Sequence, residues 1–192
     1  MATISSQQAL SVASMIELTD KDLDTLKHIR LDFHSNQLTA YATDRYVLAR
    51  ATYELDEPQV ETTAYLDKQA VKFIRDNAKD TTSFSITKDY IQTDNSLQTY
   101  YLHNDGSRLP KIDLDQVITK ALDQPQGTET ISMNLKLIER VNKLITPTQA
   151  NLTPAKRRTE WTIRVGNRHD PIVFTESTDT FTALAQPLRR GN

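Results

Sequence analysis

The chain has 192 residues, 38% hydrophobic and 25% charged, with a formal net charge of -2, which is room for one large or two small domains of ordinary globular composition. Its slight acidity excludes a generic nucleic-acid binder, so any contact with DNA has to be concentrated on one face. Cysteine is absent and glycine occurs four times, which excludes disulfides, thiolate metal sites and a glycine-rich phosphate loop.

No apolar run is long enough for a transmembrane helix. Met1-Ala2-Thr3 leads straight into polar residues without a signal-peptide pattern, so a cytoplasmic location is expected.

Residues 5–16 predict a helix capped by Ser5 or Ser6, with Leu10, Val12, Ala13 and Ile16 inward. Residues 18–27 read as a polar loop. Its Asp20, Asp22 and Asp24 read as solvated charges, because no glycine or distal glutamate completes a calcium loop. Residues 28–33 and 38–43 alternate with period two around Ser35-Asn36-Gln37 and predict a hairpin. The alternation stops at Thr43-Asp44, a helix-capping pair, so Tyr46-Val47-Leu48-Ala49 is expected to form a helical turn with a small apolar ledge. Residues 51–55 predict a strand closed by Asp56-Glu57-Pro58.

Residues 62–66 predict a strand, and Asp67 caps a helix through Lys79 with Ala70, Phe73, Ile74 and Ala78 on one side. Strands follow at 83–87, 90–93 and 97–102, with turns at Asn95-Ser96 and Asn104-Asp105-Gly106. Strand, helix and three strands thus recur, and residues 1–108 are expected to form one domain of two βαβββ halves. Residues 109–127 form a connector in which LDQVITKAL reads as a short helix or strand. Residues 128–192 repeat the pattern as a partial domain: a strand at 128–133, a helix from Asn134 ending before Pro147, and strands at 161–165, 172–175 and 180–185. The polar, proline-rich stretch between the helix and these strands reads as an exposed, mobile loop. The fold class is α+β, with helices on one face of curved antiparallel sheets.

On a helical wheel of about 100° per residue, Lys68, Lys72, Arg75 and Lys79 fall opposite Ala70, Phe73 and Ile74. Lys136, Arg140 and Lys143 likewise fall opposite Ile138, Val141 and Ile145. A basic stripe on one helix usually only solvates an exposed face. Two in the same place of a repeated unit suit the phosphate backbone of duplex DNA, bound without reading sequence and weakened by salt. No aromatic residues interleave with them, which disfavours single-strand stacking. Arg164, Arg168 and the run Lys156-Arg157-Arg158 read as solvated charges or as contacts to an anionic partner. His28, His34, His103 and His169 lack metal-ligand spacing, and no serine lies in a G-x-S-x-G elbow. Asp44 fits a cap better than a general base. No catalytic residue, metal or cofactor is expected.

Three motifs, in order, resemble the bacterial sliding clamp, the beta subunit of DNA polymerase III. ATDRYVLA resembles that family's ATDGHRLA, and LPKIDLDQVI resembles its FPDYERVI. The tail DPIVFTESTDTFTALAQPLRR resembles its C-terminus, where a last strand runs into MPMRL; Gln186-Pro187-Leu188-Arg189-Arg190 stand there in this chain. The resemblance implies the DNA-clamp fold and a processivity factor for DNA replication that encircles duplex DNA, in a shortened, phage-like form. It implies DNA contact through Lys68, Lys72, Arg75, Lys79, Lys136, Arg140 and Lys143. It also implies a pocket for peptides of DNA polymerase and other partners, built from Thr43, Tyr46, Leu48, Leu184, Gln186, Pro187 and Leu188 with Arg189 at its rim. A clamp loader is a further implied partner, and the assembly would be a homo-oligomer of about three or four copies closing a ring, with no membrane contact. Tyr46, Val47 and Gln186 depart from the family motifs, so peptide preference should differ. The alternative is a clamp-derived protein that forms no ring and binds clamp-interaction peptides or modulates a host clamp.

Overall fold

The computed structural model describes residues 1–20, 22–95, 97–103, 109, 113–127, 133–167 and 169–187. Strand β1 (Ala2–Ser5) runs directly into helix α1 (Ser6–Ser14). Ser5 is extended and caps the helix: its hydroxyl accepts from the Gln8 amide, and its own amide donates to the Gln8 side chain at 2.9 Å. That reciprocal pair satisfies two donors that a helix start otherwise leaves open. Ala9, Val12 and Ala13 face the core, and Leu10 is half-buried.

Two strands then dominate the molecule: β2 (Ile29–Thr43) and β3 (Val47–Leu66), paired antiparallel. The expected hairpin at Ser35-Asn36-Gln37 is therefore not a turn. Residues 29–33 pair with 62–66 and residues 37–43 with 48–54, so one strand passes through a bulge and keeps the same partner. Ser35 accommodates the irregularity with φ 52°. Pro58, which has no amide to donate, lies in the unpaired stretch between Glu54 and Gln59, where no ladder bond is required. Turn-like composition was satisfied by a bulge.

The segment after Asp44 is likewise a tight strand-to-strand turn and not a helical one. The Asp44 amide donates to the Val47 carbonyl at 3.2 Å, and Arg45 takes φ 80°. The alternation of Val47, Ala49 and Ala51 into the core carries the chain straight into β3.

Helix α2 (Lys68–Asn77) starts at Asp67, whose carboxylate accepts from the Ala70 amide at 2.7 Å. Strands β4 (Ser83–Ile86), β5 (Tyr90–Thr93) and β6 (Thr99–Tyr101) follow, as the periodicity predicts. The connector holds helix α3 (Leu114–Leu122), capped by Asp113. Helix α4 (Leu135–Val141), capped by Asn134, precedes strands β7 (Trp161–Arg164), β8 (Ile172–Glu176) and β9 (Phe181–Ala185). Residues 128–132 of the expected strand, Ser96, the Asn104-Asp105-Gly106 turn, Arg168, Leu188, Arg189 and Arg190 lie outside the described residues.

The strands form two sheets, of order β1-β4-β5-β6 and β2-β3-β9-β8-β7. The second continues from the first half of the chain into its last segment, because Val47 to Ala51 pair with Ala185 to Phe181. One large core, with Ile4, Val12, Leu31, Ile74, Phe84, Val141, Phe174 and Phe181 among its members, takes the apolar faces of α1, α2 and α4. A separate cluster unites Tyr41, Val173 and Leu184 of the five-stranded sheet with Leu114, Ile118 and Ala121 of α3. Side chains alternate across a strand, so α3 lies on the opposite face of that sheet from the other three helices. No helix among the described residues is long and apolar enough to cross a membrane.

Candidate functional site

The turn between β2 and β3 and the end of β9 meet. Leu48 stands opposite Leu184 in register, and the Gln186 amide donates to the Tyr46 carbonyl at 2.9 Å. Thr43, Tyr46, Leu48, Leu184, Gln186 and Pro187 are thus brought to one corner of the five-stranded sheet. Tyr46 is 57% exposed, with the Arg45 guanidinium 5.7 Å from its ring centroid. Leu48 is half-buried and Leu184 buried, because α3 packs against them.

Helix α3 is a part of this corner that motif comparison did not supply. Its Asp115 accepts from the Tyr41 hydroxyl at 2.6 Å and pairs with Arg50 at 3.0 Å. Burial pushes the Tyr41 hydroxyl well above the usual tyrosine range, and the Asp115 carboxylate adds to the shift, so Tyr41 stays a donor. The signal was in the sequence: Leu114, Ile118, Ala121 and Leu122 recur at helical spacing between polar residues.

On the other face of the sheet, Lys68, Lys72, Arg75 and Lys79 of the α2 segment are all exposed. Arg75 also donates to the Ala13 carbonyl of α1 at 3.2 Å. The α4 segment differs. Lys136 is exposed, but Lys143 pairs with Glu17 at 3.0 Å. Arg140 donates to the Glu17 carbonyl from Nε at 2.9 Å and Nη2 at 2.7 Å, and from Nη1 to Asp44 Oδ2. The two basic stripes that look alike on a wheel are thus used differently. Lys68, Arg140 and Lys143 nevertheless face one cleft of about 510 Å³, shared with Asp20, Asp44, Arg45 and Tyr46.

Asp20 is not the solvated loop charge its neighbours suggest. It is buried, accepts from the Asp22 amide at 2.8 Å and the Leu23 amide at 3.2 Å, and pairs with Arg45 at 2.8 Å. The Asp22 amide foremost, with the Leu23 amide and the Arg45 charge, holds its carboxyl below the usual range against the opposing effect of burial. Asp44 is buried too: Oδ1 accepts from the amides of Tyr46 at 3.0 Å and Val47 at 2.7 Å, while Oδ2 meets Arg140. Among the described residues no cluster of His, Asp and Glu is arranged to hold a metal ion.

No family model and no curated protein matches the sequence. Solved structures do match in fold. The DNA polymerase III beta subunit of Thermotoga maritima superposes with a TM-score of 0.66 at 13% identity, over 99% of this chain and 65% of that one. A DNA polymerase sliding clamp from Pseudomonas aeruginosa gives 0.68 at 10% identity, over 98% and 66%. A sliding clamp from the same organism bound to griselimycin gives 0.65 at 10%, over 98% and 65%. The chain therefore has the sliding-clamp fold, and it spans about 65% of the length of the clamps it matches.

Proposed function

We propose that this chain works as a small sliding clamp: copies of it close around duplex DNA and hold client proteins by short peptide tails. The observation that carries the reading is the likeness in fold to DNA polymerase III beta subunits over 98–99% of the chain. Two features of the surface support it. Helices α1, α2 and α4 share one core, and α2 carries a row of exposed cations that would meet phosphates. At the end of the sheet, half-buried Leu48 beside α3, Pro187 and exposed Tyr46 make a small apolar corner, with Tyr46 and the cation Arg45 also bordering the basic cleft, which suits a short peptide with apolar anchors. Edge strand β6, with Tyr101 exposed in it and Leu97 exposed just before it, offers a seat for the next copy.

The test is retention on DNA. On a closed circular duplex the protein should remain bound through gel filtration and be lost when the circle is cut, and light scattering should give the mass of about three or four chains. A stable monomer at micromolar concentration with equal retention on circular and linear DNA overturns the ring. The internal pairing of Arg140 and Lys143 favours one second reading, a peptide-binding relative without a ring and with weak DNA affinity. A monomer that still binds polymerase-tail peptides would select that reading.

A further inference from the structure

We infer that Arg140 is a positioning residue: through Asp44 it fixes the turn that presents Tyr46, so that this side chain serves the peptide-facing corner and not the DNA. The inference rests on the peptide-docking part of the function proposed above. A guanidinium presents its donors in a rigid planar fork, and here all three of its nitrogens are engaged. One side grips the Glu17 carbonyl twice and the other meets Asp44. Asp44 is 4% exposed, and a carboxylate so buried is costly without a partner of opposite charge. The other carboxylate oxygen holds the amides of Tyr46 and Val47.

The next residue, Arg45, sits at φ 80°, a conformation that a side chain other than glycine keeps only when its surroundings impose it. Here they do so from two directions. Asp44 is tied to α4, and Arg45 is tied to Asp20 in the loop after α1, with the charges reversed. The same turn receives the Gln186 amide on the Tyr46 carbonyl, so it also fixes where β9 ends. Arg140 thus reaches the turn through Asp44, and the end of β9 through the Tyr46 carbonyl, from the cleft that Tyr46 itself borders. Lys143, paired with Glu17, steadies α4 on the short 3-10 helix Met15–Leu18.

The test separates positioning from phosphate contact. Arg140→Gln and Asp44→Asn are compared with Lys72→Gln in the full chain. Asn at position 44 keeps an acceptor for the turn amides and loses only the ion pair. Amide hydrogen exchange at Tyr46 and Val47 should quicken about ten-fold in both turn variants, as expected for loss of a charge-assisted hydrogen bond, and the double variant should be no worse than either single one. A labelled peptide copied from the C-terminal tail of a bacterial replicative polymerase should bind those variants about ten-fold more weakly. The slope of log affinity for duplex DNA against log salt should be unchanged in them, and should fall by about 0.9 in Lys72→Gln. Unchanged exchange in both turn variants, or a slope reduced by about 0.9 in Arg140→Gln, overturns the inference. If the peptide fails to bind even the parent chain, the peptide-docking reading falls, and the exchange rates still decide whether Arg140 holds the turn.

Discussion

A single carboxylate can look the same in two different elements. Asp44 was legible in the sequence as a residue that accepts from amides two and three positions ahead, and it does. A helix cap and a strand-to-strand turn share that bonding, so the side chain alone does not decide between them. The burial of the next residues decides: Val47, Ala49 and Ala51 enter the core on every second position, which only a strand allows. Asp20 was illegible for the opposite reason, since its partner Arg45 is remote in sequence and the loop around it is polar. Asp20 and the exposed Asp94 are the carboxylates expected to make stability depend on acid. The Asp22 amide lowers the Asp20 carboxyl, and the hydroxyls of Thr81 and Thr82 lower that of Asp94. Both release their protons more readily folded than unfolded, so the stability they contribute is full above the unfolded value of about 3.9 and is lost as pH falls through the lower folded values. Urea midpoints should be level from about pH 7 to pH 5 and drop below about pH 4. Asp94→Ala should lower the midpoint at neutral pH and make the acid drop shallower; an acid drop as steep as that of the parent would place the sensitivity elsewhere.

At the scale of elements, periodicity identified what each face does better than where each element ends. The apolar sides of α2 and α4 were legible from helical spacing, β4 and β5 from clean alternation, and β8 and β9 as short apolar runs bounded by turn residues. The long β2–β3 pair was not, since a bulge and a turn draw on the same polar residues and only the pairing register tells them apart. Helix α3 shows how a connector becomes structural. Its Ile118 is fully buried in a small cluster of its own, across the sheet from the main core. Ile118→Ala should cost about 2–4 kcal/mol, toward the lower part of the range for a packed isoleucine because a peripheral cluster relaxes more readily. Urea denaturation followed by far-ultraviolet circular dichroism checks this. The proposed peptide corner should weaken with it, since Leu48 and Leu184 lean on α3. At the other end of the chain, Ser5→Ala removes one half of the capping box of α1 and should cost about 1 kcal/mol.

For the whole molecule, the two sheets leave different edges open. Among the described residues β6 has a neighbour on one side only, with Tyr101 exposed in it and Leu97 exposed just before it. Natural proteins usually protect such an edge with charge, a bulge or a cover, because it recruits another strand. An apolar, uncharged edge is tolerated when another chain covers it, and a heterologous contact of that kind repeats until it closes a ring or grows a filament. The net charge of -2, with exposed lysines and arginines collected along α2, gives such an assembly a reason to close around an anion and not merely to stack. Replacing both Leu97 and Tyr101 by Lys should therefore reduce the mass seen by light scattering to that of one chain. Leu97 is exposed, and Tyr101 meets the Tyr90 ring edge-on at 6.4 Å, so the two changes together should cost the monomer no more than about 2 kcal/mol. Retention on circular DNA should disappear with the assembly, while the peptide corner, on a different sheet, keeps its affinity. If the doubly substituted chain keeps the parent's mass, β6 is not the contact between copies and closure has to be sought at another edge.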